Sequence, residues 1–173
     1  RSTSQEALSY PLSVYAFDES GKCAAQQTIA SAEEALSLAL APGNYRIIAL
    51  SGQQGYTLSS GEVSATTRLS MTAKENYATV PLQRGEALVK VGKTKSKVTL
   101  MMNYAVAGVT LVLNHVPSSV TAVSARLGDL YRQMDCNGSY FSTAAVDIPC
   151  TQQTDGTWST PTVYVCPGAK AAT

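Results

Sequence analysis

Pro11-Leu12-Ser13-Val14-Tyr15-Ala16-Phe17 is the stretch that decides how the rest of the chain is read. Leu12, Val14 and Ala16 alternate with Ser13, Tyr15 and Phe17. Successive side chains of a strand point to opposite faces, so aliphatics on one face and aromatics on the other describe a strand buried on both sides. Asp18-Glu19-Ser20-Gly21-Lys22 follows and has the residues of a turn.

The same period of two continues outward. Leu36, Leu38 and Leu40 share one face of a second expected strand. Ser31 and Glu34 have the spacing of a capping box, which allows one helical turn before it. Ala41-Pro42-Gly43-Asn44 is a strong turn, and residues 45–50 resume a strand. Residues 52–61 are a Gly/Ser/Gln-rich loop, and the Thr-rich residues 63–71 suit an edge. Residues 87–91, 98–104 and 105–113 are expected strands, with Gly108 marking a bulge or bend in the last. Pro117-Ser118-Ser119 turns the chain into extended residues 120–127. Asn137-Gly138 and Asp155-Gly156 are strong hairpin dipeptides. Residues 163–165 form a short final strand before Cys166-Pro167-Gly168. Strands at this spacing predict an all-β Greek-key sandwich, and no helix beyond about two turns is visible.

Asn114-His115-Val116-Pro117 interrupts two apolar runs. The expected organisation is an N-terminal extension (1–10), a first β-sandwich domain (11–113) and a second β domain (114–173). About 60 residues is a marginal size for a sandwich, so the second domain is expected to be incomplete. The chain opens on the polar stretch 1–6, so a removed leader or a trimmed start is expected.

Composition narrows the function classes. The chain has 173 residues, 45% hydrophobic and 14% charged, with a net charge of +1 and a pI near 7.8. Charge is below the usual ~25%, and Ser and Thr supply much of the polarity. Nothing asks for a nucleic-acid partner. Arg84, Lys90, Lys93, Lys95 and Lys97 form one basic cluster. Its plain reading is a strand edge guarded by lysines, and its functional reading is an anion or partner patch. No apolar run is long enough for a membrane-spanning helix.

Catalytic chemistry finds no constellation. The one histidine, His115, has no G-x-S-x-G partner motif, and no nucleotide-binding loop is present. Asp135, Asp147 and Asp155 are too scattered for a calcium loop. A pair of hydrolytic carboxylates would meet only in the fold. No catalytic residue, metal or cofactor is expected. Tyr131, Tyr140, Phe141 and Trp158 form a candidate recognition surface, against the plain reading of half-buried strand residues. Of four cysteines, Cys136 and Cys150 are the candidate disulfide, closing a loop with Asn137, Gly138 and Pro149; the alternative is free, partly buried thiols.

Several segments together resemble the fimbrillin-like proteins of Bacteroidetes. Residues 11–22 and 38–49 are similar to that family's opening pattern of strand, Asp-x-x-Gly, strand, Pro-Gly-x-Tyr, strand. Residues 98–107 resemble the strand closing the first domain, although Asn103 and Tyr104 stand where the family often has Arg. Residues 116–120, 128–131, 137–140 and 156–158 resemble the start of the second. The resemblance implies transthyretin-like sandwich domains, export as a lipoprotein precursor, and assembly into outer-membrane fimbriae by strand exchange with other fimbrial subunits. It implies a structural or adhesive role, with a host protein or glycan as receptor. The alternative is a surface lipoprotein binding glycans through the aromatic patch.

Overall fold

A computed structural model of the chain describes residues 8–58, 63–72 and 76–169. Most of the expected N-terminal extension and the last four residues lie outside the described residues. In chain order the first strands are β1 (Leu12–Phe17), β2 (Cys23–Ile29), β3 (Gly43–Ser51), β4 (Tyr56–Leu58), β5 (Arg68–Met71), β6 (Gln83–Val91) and β7 (Met102–Tyr104). β8 (Ala107–Val109), β9 (Val112–Leu113), β10 (Ser124–Asp135), β11 (Tyr140–Pro149), β12 (Thr151–Gln152), β13 (Trp158–Ser159) and β14 (Val163–Val165) follow. Among the described residues the one helical element is a 3-10 turn, Gln53–Gly55.

The expectation of an all-β sandwich is met. A five-stranded sheet runs β2-β1-β3-β6-β7, and a four-stranded sheet runs β11-β10-β5-β4. Two small sheets, β12-β13-β9 and β14-β8, complete the set. All the ladders are antiparallel, which lets short turns connect neighbours.

β1 lies inside the sheet, between β2 and β3, and both its faces are buried. Tyr15 and Phe17 join Ile48, Leu50, Leu69, Met71 and Met134 in the core between the two large sheets. Leu12, Val14 and Ala16 join Ile29, Ile47 and Ala49 on the opposite face. That outer face is covered by Leu38, Leu40, Leu100 and Met102. All six residues of β1 are buried.

β10 and β11 form a long hairpin closed by Asn137-Gly138. Gly138 has φ +85, the left-handed conformation that this turn requires. The register slips between Leu127 and Leu130, where Asp129 has φ 53. This bend lets one strand serve two cores. Met134 and Cys136 enter the inter-sheet core, while Leu127 and Leu130 pack against Tyr77, Val146, Ile148, Val163 and Val165.

The expected boundary between residues 113 and 114 is therefore not a boundary between cores. Gln133, Met134 and Asp135 pair with Ser70, Leu69 and Arg68, joining the two expected domains in one sheet. The apolar break at 114–117 is a loop on the way to β10. Three expected strands are also corrected. Residues 36–40 stay outside every ladder, 98–104 shrinks to β7, and 105–113 breaks into β8 and β9. Ala105 and Val106, ahead of β8, are buried in the main core, and the break between β8 and β9 falls at Thr110-Leu111.

Candidate functional site

The four aromatic candidates do not form one platform. Tyr131 lies on β10, Tyr140 and Phe141 on β11, and Trp158 on β13. The Tyr131 and Tyr140 rings stack with centroids 5.9 Å apart and pack against the inter-sheet core. The Tyr140 hydroxyl donates to the Ala105 carbonyl at 2.7 Å. Phe141 instead carries the Arg68 guanidinium over its ring, at 4.3 Å. Trp158 is buried in a different sheet, paired with Leu113 and Gln152. Core packing and a cation–π pair thus use three of the four.

The candidate disulfide is not formed. All four cysteines are free. Cys136 follows β10 at the closed end of the hairpin. Cys150 follows β11 at the open end, where its N–H donates to the Val123 carbonyl at 2.9 Å. A ten-residue strand separates the two thiols, about 33 Å of extended chain, far beyond the reach of a disulfide. The Cys136 thiol donates to the Thr67 carbonyl at 3.6 Å. Burial, helped by the nearby Asp135, pushes its pKa up to about 11, and burial alone pushes Cys166 up to about 11. Neither is an activated thiolate. Burial also raises Tyr56, whose hydroxyl has no hydrogen-bond partner among the described residues.

No group of three metal-ligating side chains exists among the described residues, and none of their helices is long and apolar enough to cross a membrane. His115 is exposed in the 114–123 loop. The basic cluster divides. Arg84 donates to the Cys136 carbonyl at 3.0 Å and pairs with Glu86 at 2.5 Å, tying the five-stranded sheet to the hairpin turn. Lys93, Lys95 and Lys97 remain exposed beyond the end of β6.

What the arrangement offers is surface. Leu88 on β6 is 82% exposed, beside Arg46 and Lys90 in an open cleft of about 780 Å³ rimmed by Asp18, Glu19 and Asn44. The sequence held a signal for it: the period of two puts Leu88 on the face of Arg84, Glu86 and Lys90. Val112 and Leu113 are exposed on β9, whose described partner is β13 alone. A strand edge with apolar side chains and no further described neighbour is open to an added strand.

The fold is shared with solved structures. A candidate adhesin from Bacteroides thetaiotaomicron superposes with a TM-score of 0.63 at 13% identity, covering 94% of this chain and 64% of that one. The fimbrial anchor protein Mfa2 from Porphyromonas gingivalis gives 0.67 at 16% identity, covering 99% and 71%. A candidate adhesin from Bacteroides ovatus gives 0.71 at 9% identity, covering 98% and 64%. These likenesses establish the fold, and the chain spans about two thirds of the length of these structures. No curated protein matches the chain closely enough to count. The family described as fimbrillin-A associated anchor proteins Mfa1 and Mfa2 matches residues 3–171, nearly the whole sequence, and the chain belongs to it.

Proposed function

We propose that the chain is a structural and adhesive subunit of a bacterial cell-surface fimbria, joined to neighbouring subunits by β-strand contacts. The family is one of fimbrial anchor proteins and not of enzymes. The observation that supports the assembly mode is the edge of β9, where Val112 and Leu113 expose apolar side chains and the described residues supply no strand beyond β13. Its place is the outer surface of the outer membrane, reached as a lipoprotein precursor, and its partners are other fimbrial subunits.

The test is genetic and morphological. Deleting the gene removes fimbriae from the cell surface or sheds them into the medium, as seen by electron microscopy. Wild-type protein restores them. A Val112→Asp, Leu113→Asp double variant reaches the surface, keeps its circular dichroism, and does not restore them. Unchanged fimbriae in the deletion strain reject the reading.

A further inference from the structure

The inner face of the five-stranded sheet is not covered along its whole length. Arg84, Glu86, Leu88 and Lys90 share that face of β6, because alternate residues of a strand do. The second sheet reaches it at the hairpin turn, where Arg84 donates to the Cys136 carbonyl at 3.0 Å. Past that turn Leu88 and Lys90 are exposed. Arg46 pairs with Leu88 and Asn44 with Lys90 across β3 and β6, so these four side chains form one open floor. The turn between β1 and β2 makes the wall of the cleft, with Glu19 and Ser20. Its volume, about 780 Å³, falls in the ~300–1,000 Å³ range of small-ligand sites.

The acids around this cleft are engaged and the cations are not. Glu86 pairs with Arg84. Asp18 accepts through Oδ1 from the Ser20 hydroxyl and from the Ser20 and Lys22 N–H groups. Glu19 accepts through Oε1 from the Asn44 amide at 2.9 Å. Among the described residues, no ion pair or hydrogen bond holds the side chain of Arg46 or Lys90. These two sit diagonally across the ladder, roughly 7–8 Å apart at the backbone, where like charges repel. An anion between them removes that repulsion. The backbone hydrogen bonds of the floor lie in the plane of the sheet, so a ligand on it meets side chains alone.

We propose that this cleft binds a carboxylate-bearing saccharide. The Arg46 guanidinium takes the carboxylate in the bidentate geometry its fork fits, and Lys90 is the second cation. Leu88, 82% exposed at the centre of the floor, carries the apolar C–H face of the sugar ring. The Asn44 amide oxygen, the Glu19 Oε2 and the Ser20 hydroxyl oxygen accept from ring hydroxyls. Those acceptors decide the class of ligand. A fatty acid or an acidic side chain brings a carboxylate to Arg46 but no hydroxyls to donate to the wall, whereas a sugar acid brings both. The cleft deepens the adhesive part of the fimbrial reading, and it rests on that reading for the source of its ligand.

The probes are trimers of galacturonate and of N-acetylneuraminate, titrated against the isolated chain by calorimetry at low salt. Maltotriose supplies the rings without the acid, and the tripeptide Glu-Leu-Glu supplies acid and apolar groups without the hydroxyls. At least one sugar acid binds about tenfold or more tightly than either control. Arg46→Gln weakens that binding about tenfold or more, because the bidentate charge-assisted pair is lost. Leu88→Asp does the same by repelling the carboxylate, and its exposure leaves the fold intact, so it carries the test if Arg46→Gln does not fold. Lys97→Gln, an exposed charge outside the cleft, changes nothing. No binding of either sugar acid, equal binding of a control, or a loss with Lys97→Gln as large as with Arg46→Gln overturns the proposal. These failures are read on the isolated chain, so they are separate from failure of the fimbrial reading, which shows as unchanged fimbriae after deletion.

Discussion

Met134→Ala tests whether the two halves of the chain share one cooperative core. Met134 is 1% exposed and sits on β10 against Leu69 of β5, inside the cluster that holds Phe17, Ile48 and Leu50. Truncating a buried Met to Ala removes transfer free energy and leaves a cavity, at a cost of about 2–5 kcal/mol. A central value of about 3 kcal/mol lowers the folded-to-unfolded ratio by roughly two orders of magnitude. For a chain of this length it lowers the Tm by about 6–12 °C. The assay is urea unfolding followed by two probes. Far-UV circular dichroism reports the large sheets. The fluorescence of Trp158, the one tryptophan, reports the small sheet β12-β13-β9. Both transitions should move to lower urea by the same amount, with an unchanged slope, because β10 also packs on the C-terminal cluster. Leu88→Ala, at an 82% exposed position, is the control and should stay within about 0.5 kcal/mol. If the Trp158 transition stays fixed while the dichroism transition moves, the cores are independent and the shared-hairpin argument is wrong.

Other expectations rest on single positions. Gly52 has φ +80, and a Cβ there would lie 2.0 Å from the Pro81 carbonyl oxygen, whereas Gly156 has φ +86 with nothing within 4 Å. Gly156→Ala should cost only the left-handed backbone term, about 1–2 kcal/mol, and Gly52→Ala more than that in the same urea assay. The Asp18 carboxylate accepts from the Ser20 hydroxyl and from the Ser20 and Lys22 N–H groups, which lowers its pKa from the ordinary 3.8. Its contribution to stability is present above the unfolded value and is lost as pH falls through the folded one; an NMR midpoint for Asp18 at or above 3.8 would contradict this. The Cys136 and Cys166 thiols are raised from 9.0 to about 11, so stability should be intact below pH 9 and decline between pH 9 and 11. At pH 8 a thiol reagent should label the half-exposed Cys23 first, and equal labelling of Cys136 would argue against its burial.

Local patterns carried much of the fold. Leu12–Phe17 was legible because both faces are buried, and Val163–Val165 because two turn signals bound it. Asn137-Gly138 and Asp155-Gly156 both turn as their dipeptides predict, with Gly138 and Gly156 at positive φ. The Leu36–Leu40 alternation misled because period two reports a face in contact with apolar surface, not a hydrogen-bonded neighbour. Packing of Leu38 and Leu40 on the outer face satisfies the same pattern. The break at Asn114–Pro117 misled because a gap in hydrophobicity marks a loop but not which sheet the chain rejoins. The pairing of Met134 with Leu69 is a contact across 65 positions, and no window of sequence contains it. The four aromatics separate for a related reason: Tyr140 and Phe141 are adjacent in sequence, yet one joins the core and the other carries Arg68.

The hairpin of β10 and β11 has a mechanical consequence. At its open end the two strands lie side by side, where the Cys150 N–H donates to the Val123 carbonyl. Tension that parts these two ends peels the ladder one pair at a time and meets little resistance. Tension along the hairpin axis, from its open end toward β5, acts on Gln133, Met134 and Asp135 together, so their pairs with Ser70, Leu69 and Arg68 must shear at once. The same protein is thus soft to one direction of pull and stiff to another. A filament that transmits force along the hairpin axis would load it in its stiff direction.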